Sequence, residues 1–397
     1  MLRGLTRRQF LRRLGAGALL GTGFAFLAPR RTAWGHEAEG EEHDLLFVVN
    51  NGDESVTVID TQTDEVLKTY FVGTTASFPA NKRFKRGSLL LTGLHADNDP
   101  AVHVVDLHQG ELVARIETGS TQNYIETTPD GKYAIVAARF VHEFWKIDVD
   151  PESETFGEVV ARLKHLEGAQ PCDMTLSPDG KYAYAPDRGT DTFTVVDVEA
   201  FEVVTTVPVP PLVGEPPVEP FMATASPDGR YVFVENIEGE GTVSVFDVQD
   251  PANPEEVERF TQEQGLGLRP LTDEFTPDGR INFIINRNSS DLTVVDVEAL
   301  KIMGSVPLIE GGNPVAGDFA LDGSKFYVPV HNQNVVVVVD VASLGVAKTI
   351  EAGPNPVGAV VLRTQVPPVE GVALGSLPVV HPPAAGHGCA LPCCGHV

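Results

Sequence analysis

Short apolar runs alternate with polar positions along most of the chain, and the same turn recurs between them. Tyr231-Val-Phe-Val234 is aromatic and β-branched, and Thr242-Val-Ser-Val-Phe-Asp247 alternates polar and apolar side chains, as half-buried strands do. Ahead of both stands Ser226-Pro-Asp-Gly229, in which Pro presets φ and Gly accepts a positive φ. The same phrase returns as Thr128-Pro-Asp-Gly, Ser177-Pro-Asp-Gly and Thr276-Pro-Asp-Gly, with Ala320-Leu-Asp-Gly as a degenerate copy. A repeat of roughly 45–50 residues made only of strands and turns predicts a β-propeller.

Each unit reads as four strands: an inner one ending at the turn, a second such as Tyr231–Val234, a third ending in Asp, and a more variable outer one. The third strand's aspartate recurs at Asp60, Asp106, Asp148, Asp197, Asp247, Asp296 and Asp340, which predicts seven blades with each Asp capping the turn after it. The first unit, Asp44 to Val72, lacks an inner strand, and Asn355 to Leu362 is an inner strand with nothing after it. The C-terminal strand is therefore expected to complete the N-terminal blade, closing the ring and removing its open edges. The all-β, seven-bladed propeller is expected over residues 44–363. Residues 80–86, Ala-Asn-Lys-Arg-Phe-Lys-Arg, replace one turn with a basic hairpin, read as a solvated loop or as a contact for something acidic.

Phe47-Val-Val-Asn50 followed by Ser55-Val-Thr-Val-Ile-Asp60 resembles the YVTN repeat, as do Val294-Val-Asp296 and Gly312-Asn-Pro-Val315. Over residues 44–363 the chain resembles the YVTN/YncE-like seven-bladed propellers. The resemblance implies an extracytoplasmic protein and this fold. Related propellers include binding proteins, surface proteins, lactonases and electron-transfer subunits, so function has to be argued from the site.

Residues 1–35 look like a twin-arginine signal: Thr6-Arg-Arg-Gln-Phe-Leu11 and then an uncharged stretch from Leu14 to Pro29. That stretch is short for a membrane span, which leaves a cleaved signal as the main reading and a retained anchor as the alternative. No membrane span is expected after cleavage, and the protein is expected to be exported folded, to the periplasm or another extracytoplasmic space. Residues 36–43 form a short acidic leader. Seven of the 29 basic residues lie in the signal, and its removal leaves 22 against 55 acidic ones, a formal charge of −33. Such a chain repels nucleic acid and anionic lipid. No dinucleotide fingerprint, P-loop or zinc-protease helix is present.

Propeller ligands sit where loops converge over the channel. Aligned on the terminal aspartates, the loops between second and third strands place Asn51, His95, Arg139, Arg188, Asn236, Arg287 and His331 at roughly one position. Loops entering the inner strands add Asn123, Gln170, Cys172, Arg269, Asn313 and Asn355. The expected ligand-binding set is Asn51, His95, Arg139, Arg188, Asn236, Arg269, Arg287 and His331. Guanidinium groups recurring in an acidic protein point to a small anion or carboxylate. The structural alternative pairs the arginines with Asp187, Glu235 or Glu238. His95, His142 and His331 offer a second reading, as copper or zinc ligands. In a third, the arginines polarise a carbonyl with Glu235 or Glu238 as base, although no nucleophile or matched acid–base pair stands out.

After Leu362 the repeats stop, and residues 364–397 read as a flexible tail rich in Pro and Gly. It ends in a soft donor set, His387, Cys389, Cys393, Cys394 and His396, suited to Cu or Zn or, alternatively, to disulfides and tethering. The favoured function is an exported envelope binding protein with a small anion at the channel mouth, metal at the tail and a protein partner in the envelope. A lactonase-type hydrolase and an electron-transfer or cofactor subunit are the alternatives, the latter without any haem-attachment motif.

Overall fold

Seven four-stranded antiparallel sheets follow one another along the chain in the computed structural model. It describes residues 41–72, 76–79, 89–94, 101–106, 111–117, 125–150, 152–214 and 216–372, all within one compact unit, Glu37–Val397. The signal, the basic hairpin, His95, Asn123 and the Cys/His tail lie outside the described residues. Among the described residues no helix is long and apolar enough to cross a membrane.

Blades are numbered here from the N-terminus. Blades 2 to 7 run from inner to outer strand in chain order. Blade 5, for example, comprises Pro220–Ala225, Tyr231–Asn236, Thr242–Asp247 and Glu255–Phe260. Blade 1 is the exception that closes the ring: its inner strand, Pro356–Thr364, pairs with His43–Asn50 in register Phe47 to Val360. Successive inner strands adjoin around the ring, and that of blade 7 meets that of blade 1, where Ala359 N–H donates to Ala316 O at 3.0 Å. The expected closure is the observed one. It covers the edge that an open ring would expose.

The repeated residues hold each blade and link it to the next. In the turn of blade 4, Ser177 Oγ donates to Asp179 Oδ1 at 2.7 Å and accepts from Tyr182 N–H at 3.0 Å. Blades 3, 5 and 6 repeat this with Thr128, Ser226 and Thr276. Gly180 has φ +71°, and a Cβ there would stand 2.5 Å from Pro129 of the preceding turn. The glycines at 229, 279 and 323 meet Pro178, Pro227 and Pro277 in the same way. Gly and Pro thus recur together because each turn seats its glycine on the proline of the blade before. The aspartates ending the third strands cap their turns as expected, for instance Asp197 from Ala200 N–H at 2.7 Å and Asp340 from Ser343 N–H at 2.8 Å.

Inner strands of neighbouring blades splay too far to form a full backbone ladder, and side-chain acceptors take up inward N–H groups instead. Glu126 accepts from Leu176 N–H at 2.8 Å, Asp173 from Ala223 at 2.9 Å, Thr175 from Ala225 at 3.2 Å and Asp318 from Val361 at 2.8 Å. Aromatic side chains fill the wedges between blades, as where Phe193 stacks on Phe246 at 4.3 Å. Beyond the ring, residues 365–372 fold back onto blade 1. There Lys68 Nζ donates to the carbonyls of Pro367 and Val369, and Val372 N–H donates to Thr69 O.

Candidate functional site at the channel mouth

The loops between second and third strands and the loops entering the inner strands meet at the end of the ring opposite the Pro-Asp-Gly turns. Five entry loops share one local design. The residue before the first inner-strand proline adopts a left-handed conformation: Gln170 (φ 49°), Glu219 (50°), Arg269 (59°), Asn313 (58°) and Asn355 (52°). Left-handed φ is uncommon for non-glycine residues, and its repetition at one position marks a built feature.

Four of these five residues receive side chains of the preceding blade. Arg139 Nη2 donates to Gln170 Oε1 at 3.2 Å. Arg188 grips Glu219 Oε2 through Nε at 2.8 Å and Nη2 at 2.5 Å. Arg287 Nε donates to Asn313 Oδ1. His331 Nε2 meets Asn355 Nδ2 at 3.1 Å, and its Nδ1 meets the Pro356 carbonyl at 3.1 Å. Asn51 joins through its backbone, N–H to Asn355 O at 3.0 Å. The mouth is therefore a ring of blade-to-blade clasps. Arg188 uses Glu219, and Arg139 and Arg287 reach amides, where the structural alternative read from sequence named Asp187, Glu235 or Glu238.

Among the described residues the ring breaks once. Blade 5 has a five-residue loop, Ile237 to Gly241, where blades 1, 3, 4, 6 and 7 have four. The residue facing the clasp position is Ile237, which is buried and cannot donate. Asn236, expected in the ring, is instead the last residue of its strand. It is buried, its amide donating to Thr242 Oγ1 at 3.0 Å and Ser244 Oγ at 2.8 Å. Asn50 and Asn286 do the same in blades 1 and 6. Asn236 lies eleven residues before Asp247, against nine for Asn51, Arg139, Arg188, Arg287 and His331; the longer loop accounts for one of the two, so the aligned residue is Ile237.

With no acceptor from blade 5 to meet it, Arg269 on blade 6 keeps an unpaired guanidinium among the described residues, half-exposed at the mouth; its backbone is used, the N–H donating to Glu240 O and the carbonyl accepting from Arg287 N–H. Arg139 is more deeply set. Its Nε is buried without a partner among the described residues, and its guanidinium lies 5.2 Å from the centroid of exposed Phe140. Glu219 opposes these charges, and Glu238 and exposed Glu240 stand on the blade 5 loop. Burial holds His331 below the usual imidazole range, with the Arg287 charge adding to the effect, so it stands neutral at physiological pH.

Below the mouth the channel changes character. Cys172, Phe221, Leu271, Val315 and Val357, each at or just before the start of one of five inner strands, form an apolar plug. The Cys172 thiol is fully buried, and burial pushes it up to about 11 against the pull of Arg139 and Arg188. Glu235, considered from sequence as a base at the mouth, is fully buried and no N–H or hydroxyl reaches either carboxyl oxygen. Burial first, then the neighbouring Asp273 and Asp173, raise its carboxyl well above the usual range. Asp273 itself accepts from the Asn282 amide. Glu235 therefore cannot serve as a base at the mouth. At the far end, Glu126, Thr175, Thr224, Glu274 and Asp318 line a cavity of about 350 Å³.

Among the described residues the histidines do not assemble a metal centre; His95 lies outside them. His142 takes the left-handed last position of its loop and accepts Gln170 N–H on Nδ1 at 3.2 Å, while both ring nitrogens of His331 are engaged. No group of three metal-ligating side chains gathers among the described residues. Sequence reading also missed Glu219. It stands seven residues before Ser226, the spacing that separates Gln170, Arg269 and Asn313 from their own turns, so alignment on the turns finds it.

The fold and mouth define the chain as a seven-bladed β-propeller. No protein-family model matches the sequence, and no curated protein matches it. Several solved structures share the fold. A candidate 6-phosphogluconolactonase from Bacteroides uniformis has a TM-score of 0.66 at 16% identity, over 81% of this chain and 100% of that one. Hydrazine synthase from Kuenenia stuttgartiensis has 0.58 at 18%, over 74% and 99%. The dihydro-heme d1 dehydrogenase NirN, solved in complex with DHE, has 0.56 at 20%, over 79% and 74%. At these identities the likeness is one of fold.

Proposed function

We propose that this protein is an extracytoplasmic binding protein that takes a small anion at the mouth of its channel. The observation that carries the reading is the break in the clasp ring. It leaves the Arg269 guanidinium uncommitted beside a mouth that also holds Arg139, Arg188 and Arg287. A guanidinium in that setting suits bidentate capture of a carboxylate, sulfate or phosphate. The twin-arginine-like N-terminus supports export, and the Cys/His tail supports a separate metal-handling role for Cu or Zn.

The hydrolase reading has weaker support. Two of the similar structures are described as candidate 6-phosphogluconolactonases. Glu235, however, is sealed below the plug, and Glu219 is committed to Arg188. Titration calorimetry with acetate, inorganic phosphate and sulfate tests the binding reading. Binding of at least one, weakened about tenfold or more by Arg269→Ala, is expected; a charge-assisted hydrogen bond of about 1.5–3 kcal/mol sets that scale. An unchanged titration in the variant refutes the assignment to the mouth.

A further inference from the structure

The mouth carries apolar side chains beside its cations. Phe140 and Val141 directly follow Arg139 and are 60% and 39% exposed. Leu166 lies four residues before Gln170 and is 51% exposed, and Leu268 directly precedes Arg269 and is 39% exposed. Scattered apolar exposure is ordinary on a protein surface. These four are not scattered along their loops. Each stands within four residues of a group in the clasp ring, and two adjoin the arginines that retain unused N–H groups, Arg139 and Arg269.

A free phosphate or sulfate uses the guanidinium and leaves the apolar neighbours wet. A ligand with an anionic head and a hydrocarbon arm uses both, because the arm covers surface that otherwise faces water. The surrounding charge favours the same class. The body is strongly acidic, so a ligand carrying a single negative charge meets less repulsion on approach than a phosphate or a multiply charged sugar acid. We infer that the mouth is built for an amphiphilic monocarboxylate, its carboxylate on Arg269 or Arg139 and its apolar arm across Leu268 or Phe140. This rests on the anion-binding reading above and narrows its ligand class.

The test is a series of straight-chain carboxylates, acetate, butyrate, hexanoate and octanoate, titrated into the full chain below their micelle concentrations. Affinity is expected to rise along the series, by up to about fourfold per methylene where the arm is fully covered. The double variant Phe140→Ser/Leu268→Ser is expected to flatten that rise, and Arg269→Ala to weaken every member. Equal affinity for acetate and octanoate overturns the inference while leaving anion binding standing. A chain-length dependence that persists in the double variant also overturns it, since the arm then lies elsewhere. Absence of any carboxylate or phosphate binding overturns both readings.

Discussion

Glu235 offers a quantitative check on how the ring is held together. Its carboxyl is fully buried, no N–H or hydroxyl reaches it, and its neighbours Asp273 and Asp173 are acids. The folded chain therefore holds a proton on Glu235 at pH values where the unfolded chain has already lost it. A carboxyl raised in this way stabilises the fold fully only below its ordinary range, near 4.5. As pH rises above that point the unfolded chain gives up the proton, and stability falls by about 1.4 kcal/mol per pH unit until the folded group ionises too. Glu235→Gln removes the titration. As pH rises above Glu235's ordinary range the variant should gain stability on the parent. Urea unfolding at several pH values, followed by circular dichroism, measures the difference, in which groups common to both chains cancel. Parallel stability profiles for the two would refute the retained proton.

Two further substitutions probe the repeat chemistry. Gly180→Ala places a Cβ against Pro129 at a φ of +71°, so thermal unfolding should show a loss of about 1–3 kcal/mol, more than Gly229→Ala, whose Cβ would stand 3.2 Å from Pro178. Asn50→Ala leaves the hydroxyls of Ser55 and Thr57 without the amide that bridges them, and should cost about 1–3 kcal/mol by chemical denaturation; Asn50→Ser, which keeps a donor, should cost less.

The propeller was legible because its signals are local. Turn residues with fixed φ requirements, strand alternation and a terminal aspartate each act within a few residues, and they repeat. Even the completion of blade 1 by residues 356–364 followed from counting strands. The mouth was legible only in part. Arg139, Arg188, Arg287 and His331 were found because their loops have equal length, whereas in blade 5, whose loop is one residue longer, the position was set one residue too early, at Asn236 rather than Ile237. The partners of the arginines were not legible, since a clasp joins residues about 25 to 31 positions apart through a left-handed backbone that sequence does not announce. The burial of Glu235 was hidden for a related reason: alternation along its strand gives a face, but the next blade decides what lies against it.

The break in the clasp ring makes the proposed site separable from the fold. In four successive blade pairs, from 3–4 to 7–1 with 5–6 omitted, the first loop residue is committed to holding the next blade, so removing it confounds binding with stability. Between blades 5 and 6 the position belongs to Ile237, and Arg269 is left uncommitted as a consequence. Ile237→Gln should repair the ring by presenting an amide oxygen to Arg269, in the manner of Gln170 toward Arg139. Burying the amide forfeits about 1–2 kcal/mol of apolar transfer, offset in part by a new charge-assisted hydrogen bond, so the melting temperature should move little. Anion affinity should nonetheless fall about as far as in Arg269→Ala, although Arg269 is intact. Full affinity in Ile237→Gln, with the fold preserved, would mean that the ligand does not use this gap.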